Sequence, residues 1–237
     1  MTSAKPALLV ITGLRREAQI AAGEGVVTLC SGGDTALLRE RLSSIFSAGM
    51  SGGEIGAILS FGLAGGLAPH LQPGDIVIAS HVVAGNERHD AHTGWHDAVV
   101  SSLADAITVH RGAIAGSGTV LTTAAHKSAL HVSSGALAVD MESHIAAAFA
   151  RQHNVPFAVI RAISDPATRS LPDIASNALT PDGDVALGKV IGGLLRQPGQ
   201  LPALMAAGRD SGRAFSALRR VRGLLGPLFG FRGADFR

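Results

Sequence analysis

The chain has 237 residues, 46% of them hydrophobic and 16% charged, with a formal net charge of +2. That apolar content excludes a disordered chain and is ample for one domain, with or without an appendage. A single cysteine, Cys30, excludes an internal disulfide framework and a cysteine-based zinc module.

In chain order, apolar β-rich runs over 7–12, 26–29, 55–61, 75–83, 113–117, 136–139 and 157–163 read as strands. Helical patterns lie between them, over 15–22, 35–46, 95–110, 124–131 and 142–153, with a further helix predicted over 184–196. Strands apolar on both faces that alternate with helices predict an α/β fold, a single domain with a central mixed sheet flanked by helices. The apolar run 7–11 is short for a signal peptide, and no uninterrupted run approaches the roughly 18 residues of a spanning helix. A cytoplasmic protein is therefore expected.

Two prolines and a glycine interrupt the helical pattern at 197–202, dividing a 1–196 domain from a 197–237 tail. From Leu201 onward seven arginines face two aspartates, a surplus of five, so the preceding 200 residues carry a balance of −3. Phe215, Leu218, Val221, Leu225 and Leu228 recur at roughly helical spacing among Arg213, Arg219, Arg220 and Arg222, and Phe229 and Phe231 follow Pro227. A basic amphipathic helix of this kind reads as a peripheral binder of an anionic membrane surface. Packing of the same stripe on the body, or in an oligomer, is the alternative. Nucleic acid is not expected, because the body has no basic stripe and aromatic residues are 4% of the chain.

Chemistry in α/β folds gathers in the loops at the carboxyl ends of strands. Here Gly62-Leu63-Ala64-Gly65-Gly66 reads as a tight turn whose backbone can approach a ligand, without the glycine spacing of a dinucleotide fingerprint. It runs into Leu67-Ala68-Pro69 and, after a short spacer, Gly74-Asp75-Ile76-Val77. Ala138-Val139-Asp140-Met141-Glu142-Ser143 opens a predicted helix, and the strand 157–163 runs into Ser164-Asp165. In order and spacing these segments resemble the nucleoside phosphorylase and nucleosidase superfamily, over about residues 7–195. Ser164-Asp165-Pro166-Ala167, Ser31-Gly32-Gly33-Asp34 and the 194–202 stretch are most similar to the hopanoid-associated phosphorylases within it.

That resemblance implies cleavage of the N-glycosidic bond of adenosylhopane, releasing adenine, with inorganic phosphate as nucleophile to give phosphoribosylhopane in hopanoid side-chain biosynthesis. It also implies an adenine nucleoside with an apolar 5′ substituent as partner, a homo-oligomer, and no cofactor or metal. Glu142 is placed under the ribose, where a carboxylate accepts hydrogen bonds from hydroxyls and stabilises an oxocarbenium-like centre, with Met141 packing on sugar or base. Asp165, following Ser164, is the general acid toward the purine N7, a role that calls for a dry pocket. Glu17 matches the glutamate that activates water in related nucleosidases. Arg15 and Arg16 suit phosphate instead, as does the Ser31-Gly32-Gly33 turn. Gly62, Leu63, Ala64, Gly65, Leu121 and the backbone of Thr122 would line the substrate.

The chain departs from the family pattern in two places: Ala167-Thr168 where nucleosidases carry a second acid, and Leu63 where phosphorylases often carry serine. Hydrolysis of methylthioadenosine- or adenosylhomocysteine-like nucleosides is thus the first alternative. A non-catalytic nucleoside-binding or membrane-adaptor protein on the same fold is the second. His89, His92 and His96, among Asp90 and Asp97, are compatible with a metal but lack the zincin order; a loop lining substrate or an interface is the favoured reading.

Overall fold

The computed structural model describes residues 7–47, 55–172, 183–184 and 196–231. Strand β1 (Ala7–Thr12) is buried on both faces and is flanked in parallel by β2 (Val26–Cys30) and the twelve-residue β3 (Ile55–Gly66). Beyond β3 the sheet holds β4 (Ile76–Ala84), β5 (Glu87–Asp90), β6 (Val109–Gly116), β7 (Ala138–Asp140) and β8 (Phe157–Asp165). β3 pairs in parallel with β8 and β8 antiparallel with β4; β4 pairs in parallel with β6, β6 with β7, and β7 antiparallel with β3. The expected mixed sheet is therefore present, and five of its strands close into a ring. Helices α1 (Arg15–Ala21), α2 (Thr35–Ser47), α3 (Thr93–Leu103), α4 (Ala124–Ser134) and α5 (Ser143–His153) connect the strands.

Period-two alternation distributes the core between the two faces of the sheet. Leu8 and Val10 of β1, with Ala158 and Ile160 of β8, pack toward Trp95 and Val99 of α3. Leu9, Ile11, Phe157 and Val159 pack toward Leu38 and Leu42 of α2 and Ile145 of α5.

Three local expectations change. The glycine turn at 62–66 is instead the end of β3: Gly62 to Ala64 pair with Arg161 to Ile163, and Gly65 with Asp165. Close approach, not turning, is what glycine supplies, since a Cβ on Gly62 would lie 2.6 Å from the Glu17 carboxyl carbon and 2.7 Å from Arg161 Nη1. The helix predicted over 95–110 stops at Leu103, because Val109 to Ala115 are drawn into parallel pairing with β4. The charged β5 carries no apolar signal and is held by antiparallel pairing with β4. The helix predicted over 184–196 lies almost wholly outside the described residues.

A 3-10 turn at Pro198–Gln200 leads into α6 (Leu201–Leu225). Its apolar stripe, Ala214, Phe215, Leu218, Val221 and Leu225, joins the core beside α1, α3 and β8. The segment after α6 returns as well. Trp95 Nε1 donates to the Phe229 carbonyl at 2.9 Å, and the Phe229 and Phe231 rings lie 4.9 Å from Phe61 and 5.2 Å from Trp95. The residues expected to meet lipid thus face the sheet, because burying them there removes more apolar area from water than a loose terminal helix would. Arg220 and Arg222 donate to the carbonyls of Ala106, Ala21 and Ala22. Among the described residues no helix is long and apolar enough to cross a membrane.

Leu218 is fully buried, so Leu218→Ala is expected to lower the unfolding free energy by about 2–5 kcal/mol. Urea unfolding followed by circular dichroism would measure this; a change under about 0.5 kcal/mol, as at surface sites, would mean that α6 is not part of the core.

Candidate active site

The carboxyl ends of β1, β3 and β8, the end of β7 and the loop before α4 surround a cavity of about 280 Å³. Glu17, Asp140, Glu142 and Asp165 line it together with Leu14, Leu63, Val120, Leu121, Met141 and Leu171, and α6 contributes Ala207 and Ser211. The three acids singled out in the sequence, 17, 142 and 165, therefore meet at one site.

Glu17 is the third residue of α1 and folds back over the helix start. Its Oε2 accepts the N–H groups of Gly13 and Leu14, both at 2.8 Å, and its Oε1 accepts that of Leu63 at 2.8 Å. Three backbone donors of the kind that cradle an anion are thus directed at this carboxylate. Burial pushes its pKa up to about 7 against the pull of Arg161, with Glu142 adding to the rise.

Glu142 immediately precedes α5, and its side chain makes no hydrogen bond to the helix start. Its Oε1 accepts the Ser31 hydroxyl at 3.0 Å, and Oε2 lies 3.5 Å from Arg161 Nη2. Burial also raises its pKa, opposed by Arg161 and reinforced by Asp140.

Asp165 ends β8. Its Oδ1 accepts the Ser164 hydroxyl at 2.7 Å, and its Oδ2 accepts the ammonium of Lys127. Ser164 also reaches the Ala64 carbonyl at 3.2 Å, and a Cβ on Gly65 would stand 3.3 Å from Asp165 Oδ2.

Three residues given no role from sequence organise these acids. Arg161 is fully buried, its Nε 2.6 Å from Asp140 and its Nη2 donating to Ser60 at 2.5 Å and Ser143 at 3.2 Å. Asp140 also accepts the Ser143 N–H at 2.9 Å. Lys127 is the third. A signal for Arg161 was present: an arginine inside the apolar strand Phe157-Ala158-Val159-Ile160-Arg161-Ala162-Ile163 must be paired where it is buried.

Other expected site residues lie elsewhere. Arg15 pairs with Asp184 at 3.1 Å and is half exposed, and Arg16 lies 4.2 Å over the Phe215 ring. Neither lines the cavity, because the helical turn that brings Glu17 inward directs positions 15 and 16 outward. Gly33 lines the cavity, while Ser31 lies beneath Glu142; Gly32 and Gly33 adopt positive φ to make that turn. The Thr122 carbonyl accepts the Leu171 N–H at 2.7 Å, and Thr122 is not a lining residue. The histidines are dispersed among local partners: His89 with Glu87, His92 capping α3 at the Trp95 N–H, and His96 with Asp97.

The sequence model of the phosphorylase superfamily matches residues 18–182. The chain belongs to the phosphorylase superfamily. No curated protein matches it significantly. Solved structures share the fold of this chain. A mutant of the Helicobacter pylori MTAN with 5′-methylthioadenosine in the active site is 14% identical with a TM-score of 0.64, covering 93% of this chain and 99% of that one. Futalosine hydrolase of Helicobacter pylori is 14% identical with a TM-score of 0.68, covering 93% and 97%. The S-adenosylhomocysteine nucleosidase of Streptococcus pyogenes, in complex with 5-methylthiotubericidin, is 16% identical with a TM-score of 0.62, covering 93% and 99%. At such identities the likeness speaks for the superfamily fold alone.

Proposed function

We propose that this protein cleaves the N-glycosidic bond of an adenine nucleoside with an apolar 5′ substituent, with water as the attacking group. The observation that carries the reading is the convergence of Glu17, Glu142 and Asp165 on one cavity with otherwise largely apolar walls. Bond breaking makes the ribose positive and the base negative, so it needs carboxylates beside the sugar and a proton at the base. Glu142, braced by Ser31 and Arg161, holds the ribose hydroxyls. Glu17 takes the proton of the attacking water, a role suited by a pKa near 7. Asp165 gives its proton to N7 of the leaving adenine.

Water is favoured over phosphate on two grounds. Among the described residues no lysine, arginine or histidine lines the cavity, whereas four carboxylates do. The backbone donors suited to an anion are engaged by Glu17 itself. Phosphorolysis is the second reading, supported by the Ser31–Gly33 turn at the cavity wall and by a Glu17 that is half neutral near pH 7. Leu14, Val120, Leu121, Leu171 and Ala207 suit an apolar 5′ group, and adenosylhopane is the substrate we propose within that class.

Adenine release from an adenosine derivative with a long apolar 5′ chain, with and without phosphate, is the test. Equal release in phosphate-free buffer is the expected result. Release only with phosphate, with a 1-phosphorylated sugar product, would install the phosphorolytic reading. Tight binding without release under both conditions would make the protein a nucleoside binder.

A further inference from the structure

Lys127 lies in the first turn of α4, fully buried, with its ammonium donating to Asp165 Oδ2 and to the carbonyls of Pro166 and Arg169, each at 3.0 Å. All three of its N–H donors are therefore used. Burying an ammonium costs several kcal/mol before pairing, and an apolar side chain of similar volume would fill the space at no such cost. The partner is also specific, since the other Asp165 oxygen is held by Ser164, itself anchored on Ala64 of β3. The carboxyl is gripped from both sides and turned to the cavity.

We propose that Lys127 is a positioning residue that aims Asp165 at the departing base and stabilises the carboxylate left after proton transfer, an inference that rests on the base-cleavage reading above. As the C1′–N9 bond breaks, its electron pair goes to the base. Asp165 takes up a proton from solvent as the base is seated and passes it to N7; the base leaves neutral, and the carboxylate so regenerated returns to the Lys127 ammonium, which keeps its own three protons. Because Lys127 also holds the Pro166 and Arg169 carbonyls, the segment that carries Leu171 to the cavity is tied to the same acid.

The test compares two leaving groups. Adenine must be protonated to leave; 4-nitrophenolate, from 4-nitrophenyl riboside, need not be. Lys127→Met is expected to lower the ratio of nucleoside to nitrophenyl-riboside turnover at least 30-fold. An equal fall on both substrates, as from a loosened fold, would overturn the proposal. Should Lys127→Met not fold, Lys127→Met/Asp165→Asn removes both charges. Its turnover should match that of Asp165→Asn within about threefold; a further loss on both substrates would show that Lys127 acts other than through Asp165.

A binding readout stands apart from turnover. 9-Deazaadenine already carries a proton at the N7 position and so mimics the state after transfer. The wild type should bind it at least tenfold tighter than adenine, and Lys127→Met should erase that preference. A preference retained in the variant would overturn the proposal even if the wild type turned over neither substrate, an outcome that would instead dispose of the base-cleavage reading.

Discussion

Glu17→Gln is expected to lower kcat about 100- to 10,000-fold, the usual contribution of a positioned general base. The pH profile identifies the cause. Only the ionised carboxylate takes a proton from water, and its pKa lies at about 7. Wild-type kcat/KM should therefore rise tenfold per pH unit below 7, and Glu17→Gln should lose that acidic limb. Initial rates between pH 5 and pH 9 would measure both. A wild-type profile flat across pH 7 would remove Glu17 from the role of base.

The same carboxyl burdens stability in a defined window. Its pKa in the folded state is above the ordinary value of 4.5, so the folded protein binds the extra proton between these limits. The associated stabilisation is complete below pH 4.5 and is lost as pH rises through about 7. By linkage the rise amounts to about 3 kcal/mol. Glu142, raised mainly by burial, acts in the same direction. Wild-type Tm should fall between pH 5 and pH 8, and the fall should be shallower in Glu17→Gln.

Asp165→Asn is expected to reduce adenine release about 100- to 10,000-fold, since the amide has no proton to give at neutral pH. Ground-state affinity should change little. The amide oxygen still accepts one hydrogen bond, and Lys127 keeps the carbonyls of Pro166 and Arg169. Calorimetric binding of adenine with single-turnover kinetics separates the two effects. Weakened binding with unaltered chemistry would make Asp165 a base-binding group and leave the acid to be found elsewhere.

Much of the strand order was legible because buried strands need apolar runs, and Leu8–Ile11 and Phe157–Ile160 supply them on both faces. Glu142 and Asp165 could each be read from a motif contiguous in sequence, at 138–143 and 155–165. Arg161 and Asp140 were visible as letters but not as a pair, because their 2.6 Å contact joins two strands through the closed ring of the sheet. Lys127 carried less signal still, since a lysine on a helix is ordinarily a solvated one. Arg15 and Arg16 fall outside the cavity for a related reason: adjacent residues in a helix point in different directions, and only docking decides which one faces the cavity.

The tail shows the same division. Spacing alone determined that 215, 218, 221 and 225 share an apolar face, and composition determined that arginines surround it. Lipid, a second subunit and the body's own sheet would all satisfy such a stripe, because the hydrophobic effect has no direction. By itself the sequence determined the α/β class, seven of the eight described strands in chain order, and three acids in recognisable settings. The tertiary structure decided which buried cations brace those acids and where the tail's apolar face is spent. Ion pairing and packing depend on distances between segments far apart in the chain, which no local pattern encodes.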